Sequence, residues 1–135
     1  MGLRNWKSSL QLFLTRRCQL RCRYCPVIKT DEDMPLSTAL KGVDFLLGSR
    51  SPELTLEFYG GEPLLAWDTL KKTTEYAACE GKRRGKSFHF HIATNALLLD
   101  DAKLAWMAER KFLVVLSWDG DPKTHNRERI AGGAS

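Results

Sequence analysis

Residues 10–25 have the sequence LQLFLTRRCQLRCRYC, in which an alternating segment runs directly into three cysteines. The first six residues alternate in the period-2 manner of a β-strand. Cys18, Cys22 and Cys25 follow, and clustered thiols of this kind indicate metal or redox chemistry rather than a disulfide framework. Structural zinc sites usually take four protein ligands, whereas three thiolates suit a cubane iron–sulfur cluster with one iron left open. The spacing favours a cluster and leaves zinc as the alternative.

Further alternating segments follow, separated by stretches with helical spacing. We expect strands over residues 54–59, 88–94 and 112–117, and helices over about 36–47, 67–80 and 100–110. Ser37 is a plausible N-cap of the first helix, Gly48 its end, and Asp100 the cap of the third. Strands separated by helices in this order imply a parallel sheet with right-handed crossovers.

The two faces of the predicted sheet differ in polarity. One face is apolar in every strand, from Leu10, Leu12 and Leu14 in the first to Phe112, Val114 and Leu116 in the last. The other face carries polar residues such as Glu57, His89 and His91, whereas a parallel sheet covered by hydrocarbon on both sides is apolar on both. We therefore expect a curved, barrel-like sheet with helices outside. Ligands of such sheets lie beyond the carboxyl ends of the strands, where the cysteines, residues 60–62, 94–95 and 117–120 are all predicted.

Size and composition indicate one domain spanning residues 1–135. The chain has a mass of 15.3 kDa and is 43% apolar, which is enough for a buried core and excludes a disordered or collagen-like protein. No uncharged stretch reaches the ~20 residues of a membrane-spanning helix. Arg16 and Arg17 interrupt the first hydrophobic run, so we expect a soluble, cytoplasmic chain without a signal peptide.

The net charge of +5 is concentrated near the cysteines, because residues 1–30 contain seven bases and no acid. These bases are Arg4, Lys7, Arg16, Arg17, Arg21, Arg23 and Lys29. Basic residues beside a cluster favour its reduced form and attract carboxylates, and simple surface charge is the equal alternative. A second basic group, Lys82, Arg83, Arg84 and Lys86, falls in a helix-to-strand connection, so we expect a solvated loop on the opposite rim. Cys79 is predicted to be an incidental helix thiol.

The cysteine motif, with Tyr24 before its last cysteine and Gly60-Gly61-Glu62-Pro63 after the second strand, resembles the radical S-adenosylmethionine (SAM) superfamily. Thr94-Asn95, the sequence SWDG at 117–120, and His125, Arg127 and Arg129 follow in the order of the branch that modifies peptides and proteins. That branch includes sulfatase-maturating enzymes and peptide maturases with a SPASM-type extension. The resemblance runs from about Ser8 to Ser135. It implies a partial (β/α) TIM-like barrel of about four parallel strands with helices outside, truncated from six strands, and hence a fragment of a longer enzyme.

The resemblance also implies a site. Cys18, Cys22 and Cys25 would each ligate one iron of a [4Fe–4S] cluster, and SAM would chelate the fourth. The residues implied to contact SAM are Tyr24 near the adenine, Gly60, Gly61 and Glu62 at the methionyl ammonium, Ser117 at its polar groups, and, more weakly, Asn95. Asp119 is a further rim residue, although it and Asn95 could instead cap the helices that follow.

By this resemblance the chain is the cofactor-binding half of an enzyme that reductively cleaves SAM to a 5′-deoxyadenosyl radical and modifies a peptide or protein. The implied partners are that substrate and a one-electron donor such as flavodoxin or ferredoxin, with no membrane and no nucleic acid. Two alternatives stay open: a non-catalytic, metal-binding basic module that contacts nucleic acid, and a degenerate SAM-binding remnant. The chain also departs from the family pattern. Ala96 replaces the glycine of Thr-Asn-Gly, which puts a positive φ there in doubt, and Asp121 replaces the proline of Asp-Gly-Pro.

Overall fold

The computed structural model describes residues 8–132, so the expectations for Arg4 and Lys7 lie outside the described residues. Within them, four strands form one parallel sheet in the order β1 (Ser9–Phe13), β2 (Glu53–Tyr59), β3 (Ser87–Thr94) and β4 (Leu113–Leu116). The helices are α1 (Leu36–Leu47), α2 (Trp67–Arg83), α3 (Asp101–Glu109) and α4 (Pro122–Glu128), with a short 3₁₀ helix, Pro63–Ala66, before α2. The predicted parallel α/β architecture is confirmed. The 3₁₀ helix was not predicted, and α4 was expected only as a helix that Asp119 could cap.

The core lies between the apolar face of the sheet and helices α1 and α2. The register places Leu12 beside Phe58 and Phe58 beside Ile92, so that large side chains form continuous rows across the strands. Leu54, Leu56 and Phe58 in β2 are at most 1% exposed, because this strand is central and covered by the helices. The predicted apolar face is correct for the first three strands.

The fourth strand deviates from the predicted burial. Phe112 and Val114 pack against the core as expected, but Leu116 is 56% exposed. The reason is that β4 is short and lies at the edge of the sheet, where no further strand among the described residues covers it. Leu113 and Val115, on its other face, are also exposed.

The helix ends test the predicted caps. The Asp100 carboxylate accepts a hydrogen bond from the Lys103 amide at 2.8 Å, so this cap is confirmed. The predicted cap at Ser37 is wrong, because α1 already begins at Leu36 and Pro35 is its N-cap. Proline has its φ fixed in a range that suits the start of a helix, and here no side chain supplies the cap bond. Gly48 ends α1 as predicted.

The second basic group lies at the amino ends of the strands, as predicted, but only Arg84 and Lys86 lie in the connection to β3, because Lys82 and Arg83 form the last turn of α2. Arg83 and Arg84 both pair with Glu80 at the end of α2, and the Lys86 ammonium donates to the carbonyls of Ser49 and Ser51. The positive charges of this basic group are therefore partly neutralised by Glu80 and partly bound to backbone carbonyls at this rim. Among the described residues, no helix is long and apolar enough to cross a membrane.

Candidate functional site at the carboxyl ends of the strands

A cavity of about 180 Å³ opens where the four strands end. Eight of the predicted site residues line it: Cys18, Cys22, Cys25, Tyr24, Gly60, Gly61, Asn95 and Ser117. They come from the segments that follow each of the four strands, as expected for a parallel sheet. The structure therefore brings together residues that are up to about a hundred positions apart in the sequence. Glu62 is the predicted site residue that does not line the cavity.

Gly60 and Gly61, the diglycine turn, lie directly against the backbone that leads into the cysteines. The Gly61 amide donates to the Thr15 carbonyl at 2.8 Å, and the Glu62 amide donates to the Arg17 carbonyl at 2.8 Å. Gly60 has a φ of +146°, and a Cβ built on it would stand 2.6 Å from the Thr15 oxygen. A Cβ on Gly61 would overlap the Arg17 oxygen. Residues without a side chain are needed here because two backbone segments touch.

The Glu62 carboxylate is buried, with 1% of the residue exposed, and three donors of the protein surround it. One oxygen accepts from the Leu64 amide at 3.1 Å and from the Thr94 hydroxyl at 2.7 Å. The other accepts from the Asn95 amide at 2.8 Å. The side chain therefore ties the end of β2 to the end of β3. Its predicted role as a ligand of the methionyl ammonium stays a prediction.

The turn after β3 keeps a left-handed residue although the sequence provides alanine. Ala96 has a φ of 69°, so the doubt about a positive φ at this position was unfounded. The Ala96 amide donates to the Thr94 hydroxyl at 3.1 Å, which holds the strained conformation. Asn95 extends its side-chain amide toward the cysteines, 3.8 Å from Cys18 Sγ and 3.3 Å from Gln19 Oε1. Its side-chain oxygen accepts from the Leu97 amide.

The cysteine loop, residues 18–25, is fixed at its start by a carboxylate. Asp33 accepts two hydrogen bonds from the Arg17 guanidinium, at 2.8 and 2.7 Å, and one from the Thr15 hydroxyl. The bond from Arg17, followed by that from Thr15, outweighs partial burial and lowers the pKa of Asp33. Arg17 also donates to the Leu65 carbonyl, and Arg16 pairs with Glu32. Two of the bases near the cysteines thus position the loop.

The far side of the cysteine loop is fixed by residues 128–132, which we call the closing segment. It runs antiparallel to the loop, with a bridge between Leu20 and Ala131. Three backbone hydrogen bonds join them: Arg21 N to Ile130 O at 2.7 Å, Arg23 N to Glu128 O at 3.0 Å, and Gly132 N to Gln19 O at 2.6 Å. A Cβ on Gly132 would stand 2.9 Å from the Gln19 oxygen, so the close pairing requires glycine there.

Arg129 and Asp119 form a partly buried ion pair between the closing segment and the end of β4. The guanidinium donates to both carboxylate oxygens, at 2.8 and 3.3 Å, and its side chain is 12% exposed. The Tyr24 hydroxyl donates to the same carboxylate at 2.7 Å, and its ring centroid lies 5.6 Å from the guanidinium carbon. Loss of solvation and the bond to Asp119 raise the pKa of Tyr24 to about 12. Asp119 therefore links Tyr24 to Arg129; its alternative as a helix cap is taken by Asp121, whose carboxylate caps α4.

Each of the three cysteine sulfurs has a hydrogen-bond donor. Cys18 Sγ accepts from the Leu20 amide at 3.4 Å and from Asn95, as described above. Cys22 Sγ lies 3.8 Å from Arg129 Nη1, and Cys25 Sγ accepts from Lys29 Nζ at 2.9 Å. Burial raises the pKa of the Cys22 thiol more than Arg129 lowers it. At Cys25 burial also acts to raise the pKa, but the bonds from Lys29 and the Val27 amide prevail and lower it.

The donor set fits a cubane cluster. All three thiols are free, half-buried and on the wall of one cavity. Within residues 8–132, no three Cys, His, Asp or Glu side chains are grouped so as to hold a single metal ion. In a cubane each thiolate binds a different iron, so the sulfurs need to surround a common space rather than a single point. Cys79 is exposed on α2, away from this cavity, as predicted.

Sequence reasoning missed the residues that act on the sulfurs through space. The sequence does not distinguish Lys29 from the other bases near the cysteines, and it predicts no contact for Arg129. Arg129 is 107 positions from its partner Cys22, and no periodicity links such positions. The sequence signal that could have found it was Arg129 itself, a basic residue that follows Asp119-Gly120 by nine positions. Ser117 donates its amide to the Thr94 carbonyl, which places its side chain at the cavity.

Comparison with known proteins gives a consistent result. The model of the radical SAM superfamily matches residues 12–134. An uncharacterized protein of Methanocaldococcus jannaschii is 33% identical over 112 residues, which are 82% of this chain and 38% of that protein. The cysteine-type anaerobic sulfatase-maturating enzyme of Clostridium perfringens is 29% identical over 124 residues, 83% of this chain and 32% of the enzyme.

The fold comparison agrees with the sequence comparison. The solved structure of native anSMEcpe with bound AdoMet and Cp18Cys peptide superposes with a TM-score of 0.81 at 29% identity, covering 91% of this chain and 34% of that one. The partial barrel expected from the sequence is thus confirmed as an architecture. This chain spans about a third of the length of the curated relatives it matches.

Proposed function

The chain belongs to the radical SAM superfamily, and from that premise we propose that it binds a [4Fe–4S] cluster through Cys18, Cys22 and Cys25 and binds SAM beside it. Members of this family use these two cofactors, and the similar structure of anSMEcpe contains AdoMet. When bound, the two groups supply one chemistry, the reductive cleavage of SAM to a 5′-deoxyadenosyl radical. The observation that carries the proposal is that three free thiols and the diglycine turn line one cavity.

The chain's own residues would then position the cofactor. Gly60 and Gly61 would offer backbone groups close to the methionyl end, because both line the cavity beside the cysteines. Ser117 would offer a hydroxyl, and Tyr24 an aromatic face toward the adenine. Asn95 lines the cavity beside Cys18 and would contact either this cluster ligand or SAM. The Glu62 carboxylate already accepts three hydrogen bonds from the protein. It would therefore bind the methionyl ammonium only through its remaining lone pairs.

We further propose that the substrate is a peptide or protein. The support is the likeness to the sulfatase-maturating enzyme and to anSMEcpe, whose structure contains a Cp18Cys peptide. The electron would come from a one-electron donor such as flavodoxin or ferredoxin, which would place the reaction in the cytoplasm. The domain of residues 1–135 would supply the cofactor half of such an enzyme.

The test is anaerobic reconstitution of this chain with iron and sulfide. We expect about four irons and four sulfides per chain, which is the composition of a [4Fe–4S] cluster. SAM should then change the electron paramagnetic resonance (EPR) spectrum of the reduced cluster. Cys18→Ala should abolish both results, and Cys79→Ala, which changes an exposed thiol outside the cavity, should leave both unchanged.

Other outcomes identify the alternatives. Cluster assembly that is unaffected by Cys18→Ala would contradict the proposal. Binding to RNA or DNA that weakens steeply with salt, together with indifference to SAM, would favour the basic nucleic-acid module. SAM binding without formation of 5′-deoxyadenosine after reduction by dithionite would favour a degenerate remnant.

A further inference from the structure

We propose that Lys29 and Arg129 set the reduction potential of the cluster, each by placing a positive charge on one ligand sulfur. This inference rests on the proposed function, since it concerns the cluster held by the three cysteines. It assigns a role to two residues outside the ligand set. One lies just beyond the cysteine loop, and the other lies in the closing segment.

Lys29 supplies the shorter of the two contacts. Its ammonium donates to Cys25 Sγ at 2.9 Å, which is a close distance for a sulfur acceptor. Lys29 is half-buried and lines the cavity, so solvent screens its charge less than that of an exposed lysine. Among the described residues, no carboxylate forms an ion pair with Lys29. The main electrostatic partner of the Lys29 ammonium is therefore Cys25 Sγ.

Arg129 supplies the second contact and is held in place by Asp119. The bidentate pairing fixes the guanidinium plane, and Nη1 is left facing Cys22 Sγ at 3.8 Å. Because Asp119 compensates part of the charge, the effect of Arg129 on the sulfur should be smaller than that of Lys29. Cys18, by comparison, has the neutral donors Leu20 N and Asn95 Nδ2.

The physical reason is the charge added by reduction. The cluster takes up one electron from a one-electron donor, and no bond at Lys29 or Arg129 forms or breaks. Hydrogen bonds to the ligand sulfurs and nearby positive charges stabilise the more negative, reduced form and so raise the potential. Of the bases near the cysteines, Arg16 and Arg17 pair with Glu32 and Asp33 instead. Arg21 donates to the carbonyls of Cys18 and Leu20. Among the bases of residues 8–30, the described hydrogen bond to a ligand sulfur therefore comes from Lys29, and Arg129 adds a second from the closing segment.

The experiment is a redox titration of the reconstituted chain with dithionite and mediators, followed by the EPR signal of the reduced cluster. For Lys29→Met we expect the ratio of reduced to oxidised cluster at a fixed potential to fall on the order of tenfold, which corresponds to about 59 mV for one electron. Lys29→Arg should restore most of this ratio. Arg23→Gln is the matched control, because it removes the same charge from an exposed position in the cysteine loop and should change the ratio little.

Arg129 is tested with two variants, because its pairing with Asp119 also supports the loop. Arg129→Gln should lower the ratio by a smaller factor than Lys29→Met, and Arg129→Lys should lower it less. If circular dichroism shows that Arg129→Gln does not fold, the potentials of the Lys29 variants alone decide whether the inference holds. An unchanged potential in Lys29→Met, or an equal shift in Arg23→Gln, would overturn the inference. Failure of the unmodified chain to assemble a cluster would instead contradict the proposed function.

Discussion

The two walls of the cavity are built in different ways. The wall of the diglycine turn is fixed from inside the fold, by backbone contacts to residues 15–17 and by a carboxylate that is 1% exposed. The cysteine loop is fixed from outside, by ion pairs of partly exposed side chains and by the closing segment. Tyr24, in the loop, is 55% exposed. From this difference we expect the cysteine loop to loosen without unfolding of the sheet, whereas the wall of the diglycine turn should be lost only when the sheet unfolds.

The largest effect is expected from a methyl group on the buried wall. Gly61→Ala would place a Cβ on the Arg17 carbonyl, and the backbone would have to shift. We expect a loss of about 3 kcal/mol in the free energy of unfolding, measured by urea with tryptophan fluorescence. Gly85→Ala on the opposite rim has a positive φ but open space, so it should cost about 1 kcal/mol. Equal costs for the two would contradict the described contact.

Glu62→Gln tests whether the buried carboxylate is structural. The two carboxylate oxygens both accept, and an amide has one oxygen, so its NH₂ group would face a donor. We expect a loss of about 2 kcal/mol in unfolding free energy. Glu57→Gln, on the half-buried interior face, should cost less than about 0.5 kcal/mol. Unchanged stability of Glu62→Gln with weakened SAM binding would instead assign Glu62 to the ligand.

The outer wall should respond to acid before the sheet does. The hydrogen bond from Tyr24, followed by that from Arg129, lowers the pKa of Asp119, so its ionised form stabilises the closed loop. This contribution is present above the ordinary pKa of about 4 and is lost as the pH falls below it. We expect hydrogen-exchange protection of the Arg21 and Arg23 amides to fall a few-fold between pH 5 and pH 3, at unchanged far-UV circular dichroism.

Asp119→Asn is the matched control for the acid response. It should lower the protection of the same amides already at pH 7 and remove the part of the pH dependence that Asp119 causes. Asp33, whose pKa is also lowered, would keep its own contribution at the other end of the loop. Protection that falls equally in the original chain and in Asp119→Asn would contradict the assignment to this carboxylate.

The smallest effect is expected at the turn after β3. Ala96 has a φ of 69°, which costs an alanine about 1 kcal/mol relative to glycine. Ala96→Gly should therefore stabilise the chain, by about 0.5 kcal/mol after the added chain entropy is subtracted. Ala93→Gly, inside β3, should destabilise by a similar amount, and the sign of the difference in urea midpoint is the check.

The sequence was informative where the physical constraint is local. The alternation of apolar residues correctly predicted which residues of β1 to β3 face the core, and Asp100 correctly predicted the start of α3. Prediction failed at Leu116, whose exposure depends on the neighbours of β4, and at Ser37, where the fixed φ of Pro35 begins the helix earlier. The positions of the motifs at the strand ends indicated which residues meet at the cavity, but not which contacts hold these residues in place.

The supports of the site are long-range and so escaped prediction. The need for Gly61 follows from the Arg17 carbonyl, the burial of Glu62 from Thr94, and the position of the cysteine loop from Arg129. Each contact joins segments more than thirty residues apart, and no pattern within one segment encodes it. The Lys29 contact is local, four positions from Cys25, but the sequence alone does not distinguish Lys29 from the other bases around the cysteines.

The pairing of residues 128–132 with the cysteine loop has a kinetic consequence. It joins segments separated by about 107 positions, and contacts of such high sequence separation carry a large loop-closure entropy and form late. A nascent chain exposes Cys18, Cys22 and Cys25 long before Arg129 is synthesised. Delivery of iron and sulfide to the thiols would be easiest in that interval, and docking of residues 128–132 would then hold the loaded loop in place.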